Sequence, residues 1–304
     1  MQPLDGAHQT AHMHPTAPAW LSPARRRALG HGLAIAIVVV VGYYDLLVLH
    51  DWLGIDAHAY WAAWSHDLYG IPARHRDAYL YAPAFAQLIW PLTRLSWEAF
   101  VVLWAGSMTA IFAWLLRPLP ALWFWPALVL CLPEALQGNI NALLALVVVL
   151  GFRHPAAWAL ALLTKVSTAV GLLWFAVRGE WRALLPPIIV AALVSGVSYV
   201  LRPDLWQAWF ALLVGGATGG DTTFLFPLRL VAAAALVAWG ARTGRRWTVP
   251  VGVILASPIF FLNTLTILAA LPRLQALPRP AALGRARLRR PRAAAPREVA
   301  GARG

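Results

Sequence analysis

Apolar runs dominate the chain, and their lengths fall into two groups. Runs at about 29–49, 96–116, 183–201 and 224–241 approach the roughly 20 residues a helix needs to cross a bilayer. The others are shorter and come in pairs around a polar vertex. Runs at about 119–133 and 139–152 meet at Pro133, Glu134, Gln137, Gly138, Asn139 and Asn141, and those at about 155–164 and 168–177 meet at Lys165. A third pair, about 248–256 and 259–271, meets at Ser257, Pro258 and Asn263. Counting both groups predicts an all-α, polytopic membrane protein with about ten crossings.

Residues 50–95 break this pattern. They mix Asp51, Asp56, Asp67 and Asp77 with Trp52, Tyr60, Trp61, Trp64, Tyr69, Tyr79 and Tyr81, the amphipathic types that collect at a membrane interface. The expectation is helices lying on the outer surface, with YAPAFAQLIWPLTRL dipping into the membrane as an element too short to span. A second outward segment, RPDLWQAWFALLVGGATGGDTT, again combines tryptophans with acids.

Composition agrees with lipid as the main solvent: 60% of the 304 residues are hydrophobic and 12% are charged. The net charge of +13 raises the question of nucleic acid. Its arginines, however, sit in the gaps between runs, at Arg25–Arg27, Arg117, Arg153, Arg178, Arg182, Arg242, Arg245 and Arg246, and then in a tail from Arg273 onward. That is how cytoplasmic loops are marked, so the reading is no nucleic acid, both termini cytoplasmic and a multi-pass protein of the plasma membrane. Residues 1–28 and 272–304 read as cytoplasmic disordered tails, the second lying near anionic headgroups, and 29–271 as the transmembrane domain with 50–95 as its first extracytoplasmic loop. Nothing in the sequence sets the oligomeric state.

With this orientation only Asp5, Glu180 and Glu298 of the twelve acids fall inside. Acids contribute little to topology, so their outward bias points to chemistry on the outer face. The single cysteine, Cys131, leaves no disulfide and no thiolate cluster. His58, His66 and His75 with Asp56 and Asp67 are the one metal-type constellation, without a tight i, i+4 pair, and no metal or other cofactor is expected.

Charged and amide groups at mid-membrane are costly, about 2.5–3.5 kcal/mol for an ionised side chain on the insertion scale, so the vertices should line a wet cavity. Asp56 opens the stretch GIDAHAYWAAWSHDLYG just after the first span. It suits a base whose pKa is raised by a partly apolar loop, and equally a helix N-cap. Lys165 is the only lysine among 25 basic residues. It suits phosphate binding, or snorkelling at a helix end. Arg202 and Arg229 are further phosphate candidates, Arg202 equally an interfacial anchor. Tyr60, Tyr81, Trp61 and Trp64 suit sugar stacking or interface packing, and Asn139, Asn141 and Asn263 suit sugar hydroxyls or helix-helix hydrogen bonds.

The order of these motifs resembles glycosyltransferase family 87, the polyprenol-phosphate-mannose-dependent membrane mannosyltransferases of the GT-C superfamily. The resemblance runs from about Asp56 to Asn263. It is carried by Asp56 with Tyr60, Gly70 with Pro72, Tyr81-Ala82-Pro83, Gly138-Asn139-Ile140-Asn141, Lys165 to Thr168, and Ser257-Pro258 followed by Asn263. Ala82, Asn139, Thr168 and Asn263 depart from the family's proline, glutamine, proline and histidine.

The resemblance implies a GT-C-like fold with a large first outer loop. It further implies inverting transfer of a hexose, mannose, from a polyprenyl-phosphate sugar to a hydroxyl of a glycolipid or glycan acceptor. Asp56 would be the general base, Lys165 and Arg202 would hold the donor phosphate, and Tyr60, Tyr81, Asn139, Asn141 and Asn263 would contact sugar or acceptor. A transporter or flippase with the same wet cavity, or a non-catalytic scaffold, is the alternative. A transporter predicts symmetric paired repeats, and the large outer loop occurs once.

Overall fold

The computed structural model describes residues 23–73, 75–214 and 225–278. Among them the chain is all-helical, without strands. Most of the expected terminal tails, and the 215–223 part of the second segment expected to face outward, lie outside the described residues.

Helix α1, Pro23–Asp51, extends the first apolar run at both ends. It packs on α5, Ala121–Gln137, and otherwise exposes Leu29, Leu33, Ile35, Val39, Val40 and Leu46. A 29-residue helix with so much exposed apolar surface needs lipid around it. The interface stretch folds as short helices, α2 Ile55–Trp61, a 3-10 turn Ala62–Trp64, α3 Pro83–Ile89 and a 3-10 turn Leu92–Arg94. The α3 segment falls within the stretch expected to dip into the membrane. It is well buried, with Pro83, Ala84, Phe85, Ala86 and Ile89 inside.

Helix α4, Trp97–Leu116, begins where Ser96 Oγ accepts the Ala99 N–H at 3.3 Å, an N-cap that satisfies one free donor. It lies against α5 and against α6, Asn141–Leu150. The α5 and α6 helices are the first expected pair, broken at Gly138–Ile140.

The second pair is broken more thoroughly. A 3-10 turn Pro155–Trp158 and α7 Ala159–Leu163 lead up to Lys165, and a 3-10 segment Val166–Leu172 with α8 Leu173–Arg178 leads away. The fully buried Trp158 packs between Gly151 and Gly171, where a Cβ on either glycine would overlap the indole. This wedge lets α6 approach the Lys165 arm closely.

The remaining elements are α9 Trp181–Leu201, α10 Pro203–Val214, α11 Leu225–Thr243, α12 Thr248–Leu255, a 3-10 segment Leu262–Ala270 and α13 Leu271–Ala276. The third vertex, 256–261, separates α12 from the 3-10 segment that packs on α6.

By length and composition four stretches qualify as membrane spans among the described residues: the one that contains α1, then α4, α9 and α11. These are the four long runs of the sequence. The other apolar helices, α5, α6 and the 166–178 segment, are too short to qualify alone, so the ten-crossing count rests on the paired segments. One core joins the pairs, centred on Tyr79, Phe100, Phe112, Leu144, Trp158, Trp174 and Ile267.

Candidate active site

Two glycines fix where α2 stands. Gly54, at φ 67°, precedes its first turn and donates its N–H to Leu136 O at 2.7 Å. A side chain there would meet the Trp97 ring and Val101, each 2.6 Å from a Cβ. At the end of α5, Gly138 has φ 82° and its N–H reaches Glu134 O at 3.1 Å and Ala135 O at 3.2 Å, a C-terminal closure that favours glycine. The bare α-carbon of Gly138 faces Ala57, so α2 lies directly on the break between α5 and α6.

Asp56 therefore occupies the first turn of α2 beside that break. The N-cap alternative is corrected: Gly54 is the N-cap residue, and no side chain caps the helix. The Asp56 carboxylate instead takes a bond from a residue 83 positions away, Asn139, whose Nδ2 donates to Oδ2 at 2.9 Å. The same amide accepts, through Oδ1, from Lys165 Nζ at 3.3 Å, and Lys165 also donates to Asn141 Oδ1 at 3.2 Å. One amide thus joins the acid of α2 to the lone lysine of the second vertex.

Asp56, Asn139 and Lys165 are half-buried, while Asn141 beneath them is buried. Lys165 lies two residues beyond α7 and immediately precedes the 3-10 segment, where Thr168 N donates to Lys165 O at 2.8 Å and Thr168 Oγ1 to the same oxygen at 2.6 Å. Its ammonium is held by Asn139 and Asn141, which argues against simple snorkelling.

Tyr60 lies one turn beyond Asp56 on the same face of α2. Its hydroxyl is 3.2 Å from that of Tyr81, and its ring packs against Trp104, with 5.4 Å between ring centroids. Trp104 in turn donates to Gly138 O at 2.8 Å. Tyr69 donates to Tyr81 O at 2.8 Å and Tyr79 to Ala82 O at 3.1 Å, so the tyrosines of the first loop form a wall beside the acid. Asn263 reaches the same region from the third vertex by donating to Gln137 Oε1 at 3.4 Å.

Arg202 is not brought to this cluster. Its guanidinium holds Asp204 through contacts of 2.6 and 2.9 Å, both side chains are about half exposed, and the pairing keeps the Asp204 carboxyl below its ordinary range. Arg229 lies over Phe226 and Phe260, with a contact to Pro258 O. The histidine constellation is also dispersed. His58 Nδ1 bonds Asp77 Oδ1 at 2.5 Å and His66 Nδ1 bonds Asp67 O at 3.0 Å, and among the described residues no group of three metal-type ligands forms.

Two residues belong to the cluster that the sequence placed only at a vertex. Gln137 bridges to Asn263, and Glu134, fully buried, stands in the last turn of α5, where its carbonyl accepts the Gly138 N–H. Its presence in a helix otherwise apolar up to that turn was the available signal.

These features define a helical membrane protein whose acid and cation are joined through one amide at breaks in its helices. Compared with known families, residues 79–289 match the model of Glycosyltransferase family 87, and the chain belongs to that family. It is a membrane glycosyltransferase by descent. No curated protein matches the chain, and neither does any solved structure. The match begins after Asp56 and Tyr60, so their part in the site rests on geometry.

Proposed function

We propose that the protein moves a hexose, mannose, from a polyprenyl-phosphate donor to an acceptor hydroxyl of a glycolipid or polysaccharide at the extracytoplasmic face of the plasma membrane. In this reading the chain makes about ten crossings with both termini cytoplasmic, the short paired helices included. The observation that carries it is the bridge from Asp56 through Asn139 to Lys165.

The bridge leaves Asp56 Oδ1 without a partner among the described residues, free to face an acceptor hydroxyl. As the acceptor oxygen bonds to the anomeric carbon, its proton passes to Asp56, and the bond from that carbon to the phosphate oxygen breaks with its electron pair leaving on the phosphate. Attack and departure on opposite faces invert the anomeric centre. The Lys165 ammonium stabilises the charge gathering on the departing polyprenyl phosphate. Tyr60 and Tyr81 flank the sugar, and Asn139, Asn141 and Asn263 offer hydrogen bonds to it. The polyprenyl tail stays in the surrounding lipid.

The test is incubation of purified protein with polyprenyl-phosphate mannose and extracted membrane lipids, with products read by mass. The expected result is one added hexose on an acceptor. A folded protein that adds no hexose to any acceptor overturns the reading.

A further inference from the structure

Helix α2 has seven residues and no side-chain cap, too few for a helix to hold its own place. One face carries Asp56 and Tyr60, a turn apart, while His58, two residues on from Asp56, stands on the other side of the helix. There the His58 ring packs against Trp97, with 4.7 Å between ring centroids, and against Trp61, at 5.3 Å. Its Nδ1 donates to Asp77 Oδ1 at 2.5 Å, and the two side chains are only 22% and 23% exposed.

Asp77 belongs to a stretch, 65–73 and 75–82, that forms neither helix nor strand. Among the described residues it is also the one non-glycine position with a positive φ, 69°, a backbone conformation that persists where the surrounding fold imposes it. Four residues later, Tyr81 sets its hydroxyl 3.2 Å from that of Tyr60. Residues 77–81 therefore grip α2 at two points on different sides, His58 and Tyr60. The proposed transfer uses Tyr60 and Asp56 and gives the His58–Asp77 pair no part.

We infer that His58 and Asp77 are positioning residues for sugar transfer: their bond locks the rotation of α2, and with it the Asp56 carboxylate against Asn139 and the Tyr60 hydroxyl against Tyr81. This rests on Asp56 as the base of the proposed reaction. With the bond gone, α2 can turn about its axis, and a shift on the order of 1 Å at a reacting group can cost about 100-fold in rate. Donor affinity, assigned to Lys165 between α7 and the 3-10 segment, does not depend on this bond. A pair that served folding only would alter stability and leave kcat per folded molecule alone.

The experiment compares parent, Asp77→Gly, Asp77→Asn, His58→Asn and His58→Gln in detergent or nanodiscs. It reads kcat and donor KM for hexose transfer from polyprenyl-phosphate mannose, with thermal unfolding to correct for the folded fraction. Glycine accepts the positive φ without strain but supplies no carboxylate, so Asp77→Gly should lower kcat about 10–100-fold and keep donor KM within about two-fold. Asp77→Asn keeps an acceptor oxygen and a residue that tolerates this backbone, and should hold kcat within about three-fold. His58→Asn and His58→Gln lose the ring alike, but only asparagine places an N–H as many bonds from Cβ as Nδ1, so it should transfer about ten-fold faster than the glutamine variant.

Transfer by the parent with near-parental kcat in folded Asp77→Gly overturns the inference alone, as does a loss confined to donor KM. A fall in Asp77→Asn as large as that in Asp77→Gly counts against a role through the bond. If Asp77→Gly does not fold, the two His58 variants decide, and equal kcat in them overturns the inference. Absence of transfer by the folded parent overturns the reading of Asp56 as base and this inference together.

Discussion

Replacing Gly138 with alanine perturbs the site without touching any charged group. Gly138 sits at φ 82°, and a left-handed conformation costs a non-glycine residue about 1–2 kcal/mol. The new methyl would also overlap the Ala57 side chain and approach the Ala57 backbone nitrogen to 3.1 Å. Close-packed interiors do not absorb such an overlap, so α2 must move away from the α5–α6 break by on the order of 1 Å, a displacement that can cost about 100-fold when it separates reacting groups. The Asp56–Asn139 bond, 2.9 Å in the native geometry, lies directly across that boundary.

The expected outcome is a fall of about 100-fold in hexose transfer with a loss of roughly 2–4 kcal/mol in stability. Transfer rate from polyprenyl-phosphate sugar and thermal unfolding in detergent measure the two. Adding Ala57→Gly removes the side-chain overlap but keeps the backbone strain, so the double variant should regain much of the activity and less of the stability. Parental activity in Gly138→Ala, or no recovery in the double variant, would refute the claim that this contact positions Asp56.

Three further outcomes follow from the same geometry. Lys165→Met should reduce transfer at least 100-fold while the protein still folds, and Lys165→Arg should restore little, because a planar guanidinium does not fit between two amide oxygens held for an ammonium; near-parental transfer in Lys165→Met would remove the leaving-group role. Asn139→Ala breaks the bonds to Asp56 and Lys165 together and should lower kcat about 10–100-fold, whereas an effect on KM alone would make Asn139 a binding residue. Gly171→Ala forces a methyl into Trp158 and should destabilise by about 1–3 kcal/mol without a specific loss of transfer per folded molecule; an unchanged melting temperature would show that the Trp158 wedge is not tight.

The long helices were legible because lipid imposes a single requirement, a sustained apolar run, on α1, α4, α9 and α11. The breaks at Gly138–Asn141 and Lys165 were legible for the converse reason: a polar residue within an otherwise apolar run has nowhere inexpensive to go. What the sequence could not disclose was which break meets which loop. The Asp56 and Asn139 side chains are 83 positions apart, and only the closure of two glycines, Gly54 against α4 and Gly138 against Ala57, brings them together.

Local rules misled where a nearer partner won. Asp56 looked like an N-cap because aspartate favours that position, yet the left-handed Gly54 took it. Arg202 was read as a phosphate ligand or an interfacial anchor, and Asp204, two residues on, holds its guanidinium. Glu134 was visible as a polar vertex residue, and its full burial was not, because burial comes from tertiary packing.

The most direct test of the account is the rate of hexose transfer by purified Asp56→Asn, an isosteric change that keeps an acceptor oxygen for Asn139 and removes the base. With the fold confirmed by thermal unfolding, transfer from polyprenyl-phosphate mannose is predicted to fall at least 100-fold, within the range expected for loss of a general base, while donor binding persists. Transfer at the parental rate by Asp56→Asn would contradict the account.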